Sequence, residues 1–110
     1  MGFFMDFRYK SAAAVILLSG AGMASAEGDA ELGKAKFETC LGCHGVPGYH
    51  NVYPTYKVPK VAGQSAKYIE SALKGYRDGQ RKHDTMHANA INLSDDDIAD
   101  IGAYLSQSGK

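Results

Sequence analysis

Tryptophan is absent, and only two cysteines and three prolines occur in 110 residues. With Cys40 and Cys43 alone, no disulfide can close a large stabilising loop. No run of alternating apolar and polar residues is long enough to argue for a sheet. No apolar run reaches the ~20 residues of a membrane span. An excess of one charge is lacking as well: 12 Lys and Arg stand against 12 Asp and Glu. That balance gives no indication of a nucleic-acid partner. Paired carboxylates, a phosphate loop and a separate nucleophile are also missing.

What is present divides the chain unequally. Arg8 and Lys10 precede a mostly apolar stretch from Ala12 to Leu18, followed by Ala24-Ser25-Ala26. A positive start, a short greasy middle and small residues in an A-x-A pattern describe a secretory signal peptide over residues 1–26. The alternative is retention of this segment as a weak, glycine-interrupted anchor. Cleavage leaves residues 27–110 as the mature domain. A domain of that size buries only ~60–65% of its unfolded surface, so its core is marginal without a disulfide, metal or prosthetic group. Of the chain's seven tyrosines and four phenylalanines, six tyrosines and Phe37 fall in residues 27–110 and supply modest aromatic packing.

Helical periodicity dominates the mature segment and predicts an all-α fold of three main helices separated by two long loops. The first runs from Asp29 to about Thr39, with Leu32, Gly33, Ala35 and Phe37 on adjoining parts of one surface. A loop from Gly45 to Gln64 carries Pro47, Pro54 and Pro59 and has no convincing element of its own. Loops of that length are usually functional or wrapped around something. Ser65 can cap a second helix in which Ala66, Ile69, Leu73 and Tyr76 recur at helical spacing, ending near Asp78-Gly79. Residues 80–93 read as irregular. Ser94 and the acids Asp95, Asp96 and Asp97 then open a last helix with Ile98, Ile101, Tyr104 and Leu105 on one side.

Cys40-Leu41-Gly42-Cys43-His44 matches C-x-x-C-H, the attachment motif of c-type haem. Residues three apart on a helical turn project the same way, so both thiols can add to one haem's vinyl groups. His44 follows at once, over one face of the iron. A thioredoxin-like pair needs a βαβ setting that this pattern lacks. A zinc site would need two further ligands from among His50, His83 and His87. A structural disulfide across so short a loop would add little.

With these residues the chain resembles the small class I cytochromes c, particularly the short bacterial members, over nearly all of residues 29–106. The resemblance implies the cytochrome c fold, its helices and loops wrapped around one covalent haem c. Gly33 and Phe37 match the family's positions where the first helix crosses the last, against an aromatic that here is Tyr104. Pro59-Lys60-Val61-Ala62-Gly63-Gln64 looks like the family's P-x-L-x-G-Q segment, with valine for leucine. By that likeness the Pro59 carbonyl accepts from the second ring nitrogen of His44, fixing its tautomer. Met86 stands where the family places its thioether ligand, and it is the only methionine after the leader. His83 and His87 are its neighbouring competitors. His87-Ala88-Asn89 follows it, where many members have a proline. Tyr49, Tyr53 and Tyr56 are either cover for a haem edge or loop packing, and His50 reads as a surface residue.

His44 and Met86 as axial ligands leave the iron no vacant position, which suits electron transfer. The expected function is therefore periplasmic electron shuttling between respiratory protein partners, not an enzyme activity. Contact with a membrane would come only through membrane-bound partners or a retained leader. Two other readings are a cytochrome subunit of a dehydrogenase or oxidase, and a peroxidase or gas sensor with a displaceable sixth ligand. Seven bases between Lys57 and Lys82, with only Glu70 and Asp78 among them, read as a solvated face or as a patch flanking a docking contact.

Overall fold

The computed structural model describes residues 28–109. The expected leader, residues 1–26, lies outside the described residues. Asp29 opens α1 (Ala30–Phe37), its carboxylate accepting from the amides of Glu31 at 2.9 Å and Leu32 at 3.3 Å. A 3₁₀ turn over Glu38–Cys40 leads into the single turn α2 (Leu41–His44). Two-residue strands, β1 (His50–Asn51) and β2 (Tyr56–Lys57), pair antiparallel with His50 opposite Lys57. Then come α3 (Ala66–Asp78), α4 (Asp84–Ala90) and α5 (Asp95–Gln107).

The caps explain the two longest helices. Ser65 accepts from the Tyr68 amide at 3.1 Å and starts α3, which Gly79 stops in the left-handed region at φ 86°. Ser94 and Asp97 form a reciprocal capping box at the head of α5, each side chain bonded to the other's amide at 3.0 Å. Both helices then bury one face, Ile69 from α3 and Ile98, Ile101 and Leu105 from α5. Phe37 completes the core, with Val61, Leu73, Leu93 and Tyr104 partly buried around it.

α1 packs on α5, α3 packs on α5, and α4 packs on α3. At the α1–α5 crossing, a side chain on Gly33 would collide with the Asp100 carbonyl and meet the Tyr104 Cβ at 2.9 Å. Phe37 and Tyr104 lie beside this point with ring centroids 6.0 Å apart. The same crossing carries charge. Lys36 bridges Asp97 and Asp100 at 2.7 Å each, and Asp100 also accepts from the Asp29 amide at 2.7 Å. Asp100 is only 7% exposed.

Three local expectations change. Leu32 and Ala35 are exposed; only Gly33 and Phe37 of α1 are buried, because α5 approaches a narrow strip at Gly33. The loop 45–64 holds the short β1–β2 hairpin, pinned by Asn51 Nδ2–H to the Pro54 carbonyl and by the Thr55 hydroxyl to the Val52 carbonyl, both at 2.7 Å. Strands of two residues are too short to register as alternation. The stretch 80–93 contains α4, a helix of seven residues with only Ala90 buried.

The ion triad predicts an acid dependence. Lys36 holds the Asp97 and Asp100 carboxyls below the usual carboxylate range. Their stabilising contribution is therefore full above the unfolded pKa of ~4 and lost as pH falls through the lower folded values. The Lys36 ammonium is raised by the same pair, so its contribution persists through neutral pH and fades only in strong alkali. Asp100→Asn should lower Tm by about 5–10 °C at pH 7. The two melting curves should converge as pH falls through the depressed folded values; parallel curves across the acid range would refute the linkage.

Candidate haem site

Between α1–α2 on one side and α3–α4 on the other lies a cavity of about 470 Å³. Its walls are mainly apolar, with Val58, Ile69, Leu73, Leu93, Ile101 and Leu105 contributing. Cys40, Cys43, His44, Pro59 and Met86 all line it. Five residues spread over nearly fifty positions thus meet at one space.

Cys40 ends the 3₁₀ turn and Cys43 sits in α2, so the two thiols share one helical path. No disulfide joins them, and Cys40 is partly buried while Cys43 is exposed. Burial pushes the Cys40 thiol up, against a weaker opposing contact from the Thr39 hydroxyl at 3.9 Å. A side chain on Gly42 would meet nothing within 4 Å.

His44 Nδ1 lies 2.9 Å from the Pro59 carbonyl oxygen. A carbonyl only accepts, so Nδ1 carries the proton and Nε2 keeps its lone pair. The proline ring restrains the backbone that aims this carbonyl. Phe37 packs beside the imidazole at 6.5 Å between centroids.

Met86 is the third residue of α4 and half-buried. Its two histidine neighbours differ in placement. His83 lines the cavity, but its Nδ1 accepts from the Met86 amide at 3.3 Å. His87 lies outside the cavity lining and donates from Nδ1 to the Tyr76 carbonyl at 2.8 Å. His50 is exposed on the hairpin and donates to the Gly48 carbonyl at 3.0 Å. Of the three loop tyrosines, only Tyr56 lines the cavity, while Tyr53 is 91% exposed.

Tyr68, Tyr76 and Arg81 also line the space, and sequence reading did not mark them as site residues. The Arg81 guanidinium sits 4.9 Å over the Tyr76 ring and donates to the Tyr68 hydroxyl at 3.2 Å. The spacing of Ala66, Ile69, Leu73 and Tyr76 puts Tyr76 near the inward face of α3, but nothing local marks Tyr68 or Arg81 as its partners. Lys57 and Lys60 join Arg81 at the lining. Arg77, by contrast, is paired with Asp78 at 2.9 Å and Asp95 at 2.8 Å, so the basic run from 57 to 82 is less uniform than its sequence.

This donor set fits a haem: an imidazole with a free Nε2, a thioether, two thiols three residues apart and an apolar wall. Among the described residues, no group of three or more His, Cys, Asp and Glu side chains is placed to hold a metal ion.

The Cytochrome c family model matches residues 30–109. Cytochrome c-554(548) of Halomonas halodenitrificans is 51% identical over 82 residues, covering 72% of this chain and 95% of that protein. Cytochrome c4 of Pseudomonas aeruginosa is 41% identical over 85 residues, covering 77% of this chain and 41% of its own length. The chain therefore spans nearly all of the former and less than half of the latter. Among solved structures, cytochrome c4 of Acidithiobacillus ferrooxidans superposes with a TM-score of 0.61 at 30% identity, over 73% of this chain and 49% of that one. Cytochrome c4 of Pseudomonas stutzeri gives 0.60 at 26% identity, over 76% and 53%. With its helices, its C-x-x-C-H turn and these relatives, the chain belongs to the cytochrome c family and is an electron-transfer cytochrome.

Proposed function

We propose that the chain is an exported single-haem electron carrier, anchored through Cys40 and Cys43, with His44 and Met86 as axial ligands. The observation that carries this reading is the convergence of His44, held by Pro59 in the Nδ1–H tautomer, and Met86 on one apolar cavity. Haem, when bound, supplies a one-electron ferric/ferrous couple. The chain's own residues decide what that couple can do. His44 with Nδ1 engaged presents a more basic nitrogen at Nε2. A thioether at the other position favours the ferrous state and raises the potential. Filling both positions with protein atoms leaves none for oxygen or peroxide. The apolar wall keeps water from the site, and Lys57, Lys60 and Arg81 give its mouth a positive field that would steer an acidic redox protein.

The leader pattern of residues 1–26 supports a periplasmic location. A relative from Thiomonas intermedia, 34% identical over 92 residues and 41% of its own length, is a thiosulfate dehydrogenase electron acceptor. Its name supports electron exchange with a protein redox partner.

Intact mass and visible spectra of the protein from a periplasmic extract test the proposal together. The expected mass is that of residues 27–110 plus one haem, and carbon monoxide should leave the ferrous spectrum unchanged at neutral pH. A mass that retains the leader would refute cleavage, and rapid carbon monoxide binding would overturn the carrier reading in favour of a sensor or peroxidase.

A further inference from the structure

We infer that His83 is a positioning residue: it holds Met86 at the cavity by capping the short helix on which Met86 sits. The inference rests on the assignment of Met86 as an axial ligand. The chain leaves α3 at Gly79 and folds back, the Arg81 amide donating to the Gly75 carbonyl at 3.0 Å. That return puts His83 in extended backbone, φ −172° and ψ 105°, at the head of α4. Its Nδ1 accepts the amide hydrogen of Met86 at 3.3 Å, while its carbonyl accepts from the His87 amide at 2.8 Å.

The imidazole is fixed from two further sides. It meets the Tyr56 ring of β2 edge-on at 4.7 Å and the Tyr76 ring of α3 edge-on at 6.1 Å. One side chain therefore ties the hairpin, α3 and α4 together at the residue that faces the cavity. In a neutral imidazole one nitrogen accepts and the other donates. With Nδ1 committed to the Met86 amide, Nε2 carries the proton and has no lone pair to offer iron. His83 thus supports the thioether rather than competing with it.

The cap matters more here than in a long helix. α4 has seven residues and one buried side chain, too little to be stable on propensity alone. The amide that His83 satisfies belongs to Met86 itself, so its loss loosens the first turn at that residue. α5 offers a matched control: Ser94 accepts from the Asp97 amide at 3.0 Å, the same third position, on another helix.

Titration of the ferric holoprotein with free imidazole reads how often the Met86 position is vacated, because apparent affinity scales with the competent fraction. His83→Ala should raise apparent imidazole affinity about fivefold, the change that an ordinary capping bond converts to. His83→Asn, whose side-chain oxygen can accept the same amide hydrogen, should stay within about twofold of wild type. Ser94→Ala should lose thermal stability comparably without moving imidazole affinity. Wild-type affinity in His83→Ala, failure of asparagine to rescue, or an equal rise in Ser94→Ala would each overturn the inference. Failure of the ligand assignment is read separately: a Met86→Ala protein that kept the wild-type ligation spectrum would remove the premise.

Discussion

Replacing Gly33 with alanine is expected to lower the melting temperature by more than about 10 °C, or to leave no folded holoprotein. The added methyl would collide with the Asp100 carbonyl and come within 2.9 Å of the Tyr104 Cβ. One of these obstacles is helix backbone, which no rotamer change can relieve. The helices would have to separate, and the ties across them resist that. Lys36 joins α1 to Asp97 and Asp100 of α5, and Asp100 holds the Asp29 amide at the head of α1.

The magnitude follows from two opposed effects. Overpacking of this kind costs about 1–3 kcal/mol and more where backbone is met. Alanine's better helix propensity returns only about 1 kcal/mol. A net loss of a few kcal/mol is large for a domain whose total stability is about 5–15 kcal/mol. Gly33→Val should be worse, since it adds bulk and loses propensity. Thermal melts and yields of haem-loaded protein check this. A Gly33→Ala melting temperature within about 3 °C of wild type would mean that the crossing relaxes cheaply.

Which of these features a sequence reveals depends on how local their cause is. The thiols and His44 stand out in the sequence because the proposed haem attachment needs them within one turn, so spacing alone suggests the chemistry. α3 and α5 are legible because Ser65 and Ser94 are ordinary caps and each helix repeats its apolar residues at helical spacing, Ala66 to Tyr76 and Ile98 to Leu105. α4 is not, because seven residues are too few for a periodic signal and histidine is an unusual cap. The Lys36–Asp100 pair joins residues 64 positions apart, and no local pattern announces a partner at that distance. The same holds for Arg81, which reads as one base in a basic run until α3 brings Tyr68 and Tyr76 beneath it. Gly28 carries no sequence signal for a related reason: a side chain there would strike the Ala99 carbonyl, a contact made only once α5 has packed.

Met86→Ala should lower the reduction potential by on the order of 0.1–0.3 V, part of the ~0.8 V range that axial ligation spans. On the proposed ligation, removing the thioether takes away the ligand that favours the ferrous state and leaves water or another nitrogen to fill the position. The fold should survive, because Met86 is only half-buried and the core of Phe37, Ile69, Ile101 and Leu105 does not include it. Carbon monoxide should then bind the ferrous variant readily where wild type does not. Met86→His is the informative companion. It restores two strong-field ligands and so should block carbon monoxide again, while keeping the potential low. A spectroelectrochemical titration separates these outcomes. If Met86→Ala left both potential and carbon monoxide response unchanged, the sixth ligand would have to be sought elsewhere in the lining. His83 would be the first candidate, and its Nδ1 would then have to abandon the Met86 amide. That exchange would uncap α4, so a ligand swap to His83 should be visible as a loss of helix stability as well as a change in colour.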